Sequence, residues 1–265
     1  MKRMLAGLAL ATAATAIVAA PAQAAPKDPV AAVKQQIRPG KGVKFAESTV
    51  VVSHSRREVL VRRNGTLQFG KSGVTASDVT GNLNWPKQDD DNEAAKAFAS
   101  PEHMLTVGGK SYVQGGPWSG QIPEDKSWLK LPSDKPNGLY TTMGQVVDVT
   151  ELATLKALLK NAKASGSGYA GKITFGELKK VSPSFRIIVE PKNKQLKTVI
   201  TWKLSLNAKG LPTRLVTSYS AKAVGGGGDD PKALFDTDTR YTGWGSTVKI
   251  QAPPASQVAT GTTPE

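Results

Sequence analysis

The chain has 265 residues, a formal net charge of +14 and no cysteine. That length can bury a sizeable core without disulfide staples. The missing cysteine excludes a thiol nucleophile, a zinc–thiolate site and an Fe–S cluster. So basic a balance points to anionic partners, and an anionic membrane surface or a cell-wall polymer meets that requirement through the same long-range field.

The first residues read as a secretory signal. Lys2 and Arg3 form a positive head, Met4 to Ala20 is uncharged, and Ala22-Gln23-Ala24 offers the small-x-small pattern that a signal peptidase cuts. The stretch is too rich in Ala and Thr, and too close to Pro21, for a spanning helix. The expected organisation is a signal peptide over 1–24, a single α+β domain over 25–254 and a disordered polar tail over 255–265. Position 25 is Ala25 and not cysteine, so the expected product is secreted, extracytoplasmic and not lipid-anchored at the cleavage site.

Beyond the cut, Asp28 and Pro29 supply an N-cap and a first-turn proline for a helix through Gln36, which Pro39-Gly40 stops. Val43 to His54 is rich in β-branched residues. Glu58–Arg63 and Thr66–Phe69 flank Asn64-Gly65, a strong hairpin signal. A short helix is expected over Asn92–Ala99. A second hairpin pairs Met104–Val107 with Lys110–Gln114 across Gly108-Gly109, and a short strand follows at Trp128–Leu131.

The leucines at 152, 155, 158 and 159 predict a helix over Glu151–Ser165, capped by Thr150. Strands are expected at Ala170–Phe175, Phe185–Glu190, Val199–Leu206 and Leu211–Ala221. In the third of these Ile200, Trp202, Leu204 and Leu206 share one face. Gly225–Gly228 reads as a flexible tether before a last strand around Asp238–Gly243. The sum is an α+β protein with about three helices and roughly ten antiparallel strands.

Catalytic patterns are scarce. The two histidines, His54 and His103, have no nucleophile-elbow serine near them in sequence. Asp89-Asp90-Asp91 lacks the spacing and glycine of a calcium loop and suits a helix N-terminus better. Asp236 and Asp238 lie on one face of a strand, the one arrangement that suggests paired carboxylates. Gly225–Gly228 has no Lys-Ser/Thr sequel, so no phosphate loop is present. The reading is of a monomeric non-enzyme with no cofactor, no metal and no nucleic-acid partner.

Several segments, taken in order, resemble a known family. Trp202 to Leu215, with Gly210-Leu211-Pro212 and Arg214, is similar to a step of actinobacterial envelope proteins in the LolA-like superfamily, which includes the LppX/LprG lipoprotein-carrier group. Thr239 to Gly245 with Ile250 to Pro254 resembles the closing strand of that superfamily. Gly109 to Val113 with Lys126 to Lys130 resembles its earlier hairpin and strand. The resemblance implies a strongly curved antiparallel sheet, like an unclosed barrel, with helices on its concave side. It further implies a hollow that holds a lipid or other acylated amphiphile. The cavity wall so expected comprises Tyr112, Val113, Trp128, Ile200, Trp202, Leu204, Leu206 and Leu215. A filled core would give the same alternation, and the alternative function is a secreted interaction or envelope-stress sensor module that binds a partner protein.

Overall fold

A computed structural model describes residues 28–54, 56–84, 93–133, 137–189 and 191–260. The expected signal peptide, Asp89 to Asp91 and residues 261–265 lie outside the described residues.

Helix α1 (Pro29–Gln36) starts as the sequence dictates. The Asp28 carboxylate accepts the free amides of Val30 and Ala31, at 2.9 and 3.3 Å. Three long strands follow, β1 (Lys41–Ser53), β2 (Arg56–Phe69) and β3 (Val74–Leu83). Helix α2 (Glu93–Ala99) leads to the hairpin of β4 (Glu102–Val107) and β5 (Lys110–Gly115), whose turn glycines 108 and 109 have φ of 58° and 73° as expected. Strand β6 (Trp128–Lys130) and helix α3 (Leu152–Leu159) come next. The second half holds β7 (Lys163–Ser165), β8 (Gly168–Thr174), α4 (Phe175–Val181), α5 (Pro183–Ile188), β9 (Val199–Leu206), β10 (Pro212–Ser220), β11 (Leu234–Thr247) and β12 (Val258–Thr260).

All twelve strands form one open sheet in the order β12-β6-β5-β4-β3-β2-β1-β11-β10-β9-β8-β7. The α+β, unclosed sheet is as expected. Every pair is antiparallel except β12 with β6, which is parallel. Register shifts at Gly42/Lys44, Thr49/Val50, Gln68/Phe69 and Pro212/Arg214 bend the long strands. Helices α1, α3, α4 and α5 cover one face, the inner one. The main core lies between them and the sheet, around Val33, Leu155, Leu158, Phe175, Leu178, Phe185, Ile200 and Leu215.

Four expectations need correction. Asn64-Gly65 is no turn: β2 runs straight through it, and Gly65 pairs with Phe45 on one side and Val79 on the other. A Cβ at Gly65 would stand 2.5 Å from the Asp78 carbonyl and 2.9 Å from the Phe45 ring, so this glycine serves close strand packing. The chain turns instead at His54, the one non-glycine residue with positive φ (46°) among the described residues, where Ser53 pairs with Arg56. Phe185–Glu190 is not a strand. Ser182 caps α5 by accepting the Phe185 amide at 3.1 Å, and Pro183 opens the helix, a start signal that outweighs the β-branched pair Ile187-Ile188.

Helix α3 ends at Leu159, not Ser165, because Lys163–Ser165 is drawn into the sheet as β7. Its N-cap is Glu151, while the Thr150 hydroxyl donates to Asp148 at 2.7 Å. The tail expected to be disordered from 255 is ordered as far as Thr260. Strand β12 covers the edge of the short β6, and Val258 joins Ile250 over Leu105, Tyr112 and Trp128 on the outer face.

Candidate functional site: a strap and an apolar cleft on the inner face

Between β6 and α3, residues 137–150 cross the inner face as a strap held by two buried carboxylates. Glu102, fully buried, accepts from the Trp118 indole at 2.6 Å, from the amides of Leu139 (2.7 Å) and Thr141 (2.9 Å), and from the Thr141 hydroxyl at 2.7 Å. With four donors, this carboxylate is solvated by the protein in place of water.

The second anchor is Glu47. Its Oε1 receives Nε and Nη2 of Arg63, each at 2.8 Å, and the Gln145 amide at 3.0 Å. Its Oε2 receives the Thr239 hydroxyl at 2.8 Å. Arg63 also donates to the carbonyl of Thr141, tying the two anchors together. The Gln145 side chain bridges Thr239 (3.2 Å) and Thr217 (2.8 Å) on the neighbouring strands. The strap lies this close because glycines let it. A Cβ at Gly144 would stand 1.9 Å from Glu47 Oε1, and one at Gly138 would stand 2.4 Å from Glu102 Oε1.

Beside the strap the inner face is not filled. A cleft of about 450 Å³ is bounded by Thr49 and Val51 of β1, Leu60 of β2, Tyr219 of β10 and Phe235 of β11. Met143 and Val146 of the strap, Ile188 and Val189 at the end of α5, and Val224 with its following glycines complete it. Among the described residues no charged side chain lines it. Two of the large apolar side chains that the molecule leaves exposed, Met143 and Val224, stand in this lining. Burial, and then the nearby Glu47 carboxylate, push the Tyr219 hydroxyl well above its ordinary value, so it stays a neutral phenol facing an apolar space. A second, polar hollow of about 460 Å³ shares Val51 with the cleft and continues through Ser53, His54, Arg56 and Glu58 at the β1–β2 turn.

The residues expected to form the cavity wall lie elsewhere. Ile200, Trp202, Leu204, Leu206 and Leu215 do share one face, as their alternation predicts, and are buried in the main core. Val113 packs in a smaller inner-face cluster with Met104, Leu129 and Leu131. Tyr112 and Trp128 are on the opposite face, under the C-terminal segment. The structure therefore does not bring the eight together around one space. The cleft residues gave little signal in the sequence, because they come from seven separate runs of the chain. The glycine run after Val224 is the exception, since it marks a turn (Gly225 has φ 77°) and not a loose tether.

Among the described residues the histidines and paired aspartates singled out in the sequence make the following contacts. Ser53 Oγ lies 3.0 Å from His54 Nδ1, and Asp230 accepts from the Ser53 hydroxyl and the His54 amide, both at 2.9 Å. Serine and aspartate thus meet the same ring nitrogen, whereas a relay needs one on each. His103 pairs with Asp78 at 2.8 Å and sits edge-on to Trp128. Asp236 and Asp238 are on the outer face, each engaged by an arginine: Arg57 at 2.8 Å, and Arg214 in a two-pronged contact at 2.8 and 2.7 Å. Among the described residues no group of three His, Asp or Glu side chains could hold a metal ion.

No protein-family model and no curated protein matches the chain. Among solved structures it is similar to a LolA superfamily protein from Nitrosomonas europaea, at 9% identity and a TM-score of 0.32, over 86% of this chain and 94% of that one. A DUF1329 family protein from Desulfovibrio piger is similar at 9% identity and a TM-score of 0.32, over 82% of this chain and 91% of that one. Both likenesses are distant, and the functional reading rests on the cleft.

Proposed function

We propose that this is an extracytoplasmic binding or carrier protein for a lipid or other acylated amphiphile, held in the apolar cleft between the sheet and the strap. The observation that carries the reading is the cleft itself. It is unfilled and lined mainly by apolar side chains, falls within the ~300–1,000 Å³ usual for small-molecule sites, and includes the exposed Met143 and Val224 in its lining. A space of that kind favours an apolar chain through area removed from water. The adjoining polar hollow, with Arg56 and His54, suits the head of the same molecule. In this reading the buried row from Ile200 to Leu206 is the packed wall beside the cleft and not its lining. The signal-like N-terminus supports the extracytoplasmic part of this reading.

The test is native mass spectrometry before and after chloroform–methanol extraction, followed by titration with a fluorescent fatty acid. A removable acylated mass is expected, with saturable uptake that Val224→Trp and Val51→Trp reduce at least tenfold. If neither the wild type nor extracted protein takes up the fatty acid, the reading is wrong and the cleft is a packing defect.

A further inference from the structure

The outer face of the sheet carries a pattern that the cleft does not use. Six adjacent strands each contribute an exposed cation to one outward band: Arg62 from β2, Lys44 from β1, Arg240 from β11, Arg214 from β10, Lys203 from β9 and Lys172 from β8. Their strand neighbours Val61, Val43, Thr239, Leu215, Leu204 and Ile173 are buried on the inner side, which fixes the outward direction of each. Register keeps the cations in a band. Arg240 pairs directly with Arg214, Arg62 with Ser48, and Lys203 with Ala170, so successive charges are displaced by at most a few residues along the strands. At ~4.8 Å per strand the band is about 24 Å long.

Like charges placed side by side on neighbouring strands repel, and this face does little to neutralise them. Among the described residues its strand carboxylates Asp78, Asp236 and Asp238 are taken by His103, Arg57 and Arg214. Lys44, Arg62, Lys172, Lys203 and Arg240 have no ion-pair partner among the described residues. Between the cations stand Ser48, Asn64, Thr66, Thr201, Ser205, Ser218 and Thr242, small side chains that can hydrogen-bond to oxyanions and hydroxyls.

We propose that this outer face binds an extended phosphate-bearing polyanion lying across the six strands. One cation per strand matches a chain of repeated anionic groups better than a single ligand. A bilayer would call for exposed aromatic or long apolar side chains between the cations, and a single-stranded nucleic acid for exposed rings on which bases stack. Among the described residues no exposed ring stands in the band, and the exposed apolar side chains of this face, Val199 and Leu234, lie at the ends of β9 and β11, off it. The inference is independent of the cleft, which lies on the other side of the sheet.

The test uses the purified full chain and long-chain inorganic polyphosphate as probe, with affinity measured over a salt series. Arg62→Ser/Lys203→Ser/Arg240→Ser should weaken binding roughly tenfold and flatten the slope of log K against log salt by about three. Removing the same charge from the helical side, with Lys156→Ser/Lys160→Ser/Lys180→Ser, should change affinity less than about twofold if the band is the site. Arg62→Lys/Arg240→Lys, which keeps the charge and the fold, should bind like wild type. Equal losses in the two serine triples, no retention of polyphosphate by the wild type, or tighter binding to phosphatidylglycerol vesicles than to polyphosphate would each overturn the proposal.

Discussion

The Glu47–Arg63 pair allows a sharp test of how the strap is held. Glu47→Ala leaves the Arg63 guanidinium buried, with its side chain only 10% exposed, and strips the acceptor from the Gln145 amide and the Thr239 hydroxyl. Orphaning one partner of a buried pair costs about 3–5 kcal/mol. The two lost neutral donors add roughly 1 kcal/mol each, partly recovered as water enters the gap. A total of about 5 kcal/mol is expected, read in urea as a lower midpoint with an unchanged slope. In a chain of this size the same change lowers Tm by about 10–20 °C. Glu47→Gln/Arg63→Met removes both charges while keeping volume and should recover at least about half of the loss, because the uncompensated cation is gone. A loss below about 1 kcal/mol for Glu47→Ala, or a double variant as unstable as the sum of its singles, would refute the account.

Three further outcomes are expected. Gly144→Ala should destabilise by about 2 kcal/mol, since its methyl would overlap the Glu47 carboxylate, whereas Gly73→Ala, with nothing within 4 Å, should be neutral or slightly stabilising; urea unfolding of both checks the pair. Burial first, and then the neighbouring Glu151, push the Asp148 carboxyl up to about 6, above its value in the unfolded chain. Asp148 therefore contributes stability that is fully present below about pH 4 and lost as pH rises through 6, at most about 3 kcal/mol, and Asp148→Asn should flatten the stability profile across that window. Deleting the residues after Ala255 uncovers Trp128 and the edge of β6, so tryptophan emission should shift to the red and stability fall by roughly 2 kcal/mol.

How legible the molecule was depends on the range of the forces involved. Helix α1, the β4–β5 hairpin and β9 were readable because their signals are local: a cap, a pair of turn glycines, a clean alternation. The Asn64-Gly65 reading failed because the same two letters can meet a different requirement, the approach of Phe45 across β1, which is visible only once three strands are side by side. The strap was not readable at all. It depends on carboxylates at 47 and 102 meeting amides some forty to a hundred residues away, with glycines 138 and 144 clearing the space. The alternation in β9 identified a buried face correctly, and could not tell that the opening lies further along the sheet, beside Tyr219 and Phe235.

The seam at the middle of the sheet has a kinetic consequence. Strand β1 is hydrogen-bonded to β11, so that Lys41 faces Thr247 and Val52 faces Leu234. The two central neighbours are thus made from opposite ends of the chain. Pairings of such long sequence separation are slow to form, because a large loop must close before any contact repays it. A nascent chain emerging from a ribosome or a translocation pore with its N-terminus first would have to wait for nearly its whole length before β1 found that partner. Until then β1 presents an unpaired edge to any other chain nearby. The seam that completes the sheet is also the step at which folding is most exposed to misassembly, and holding factors would have most effect there.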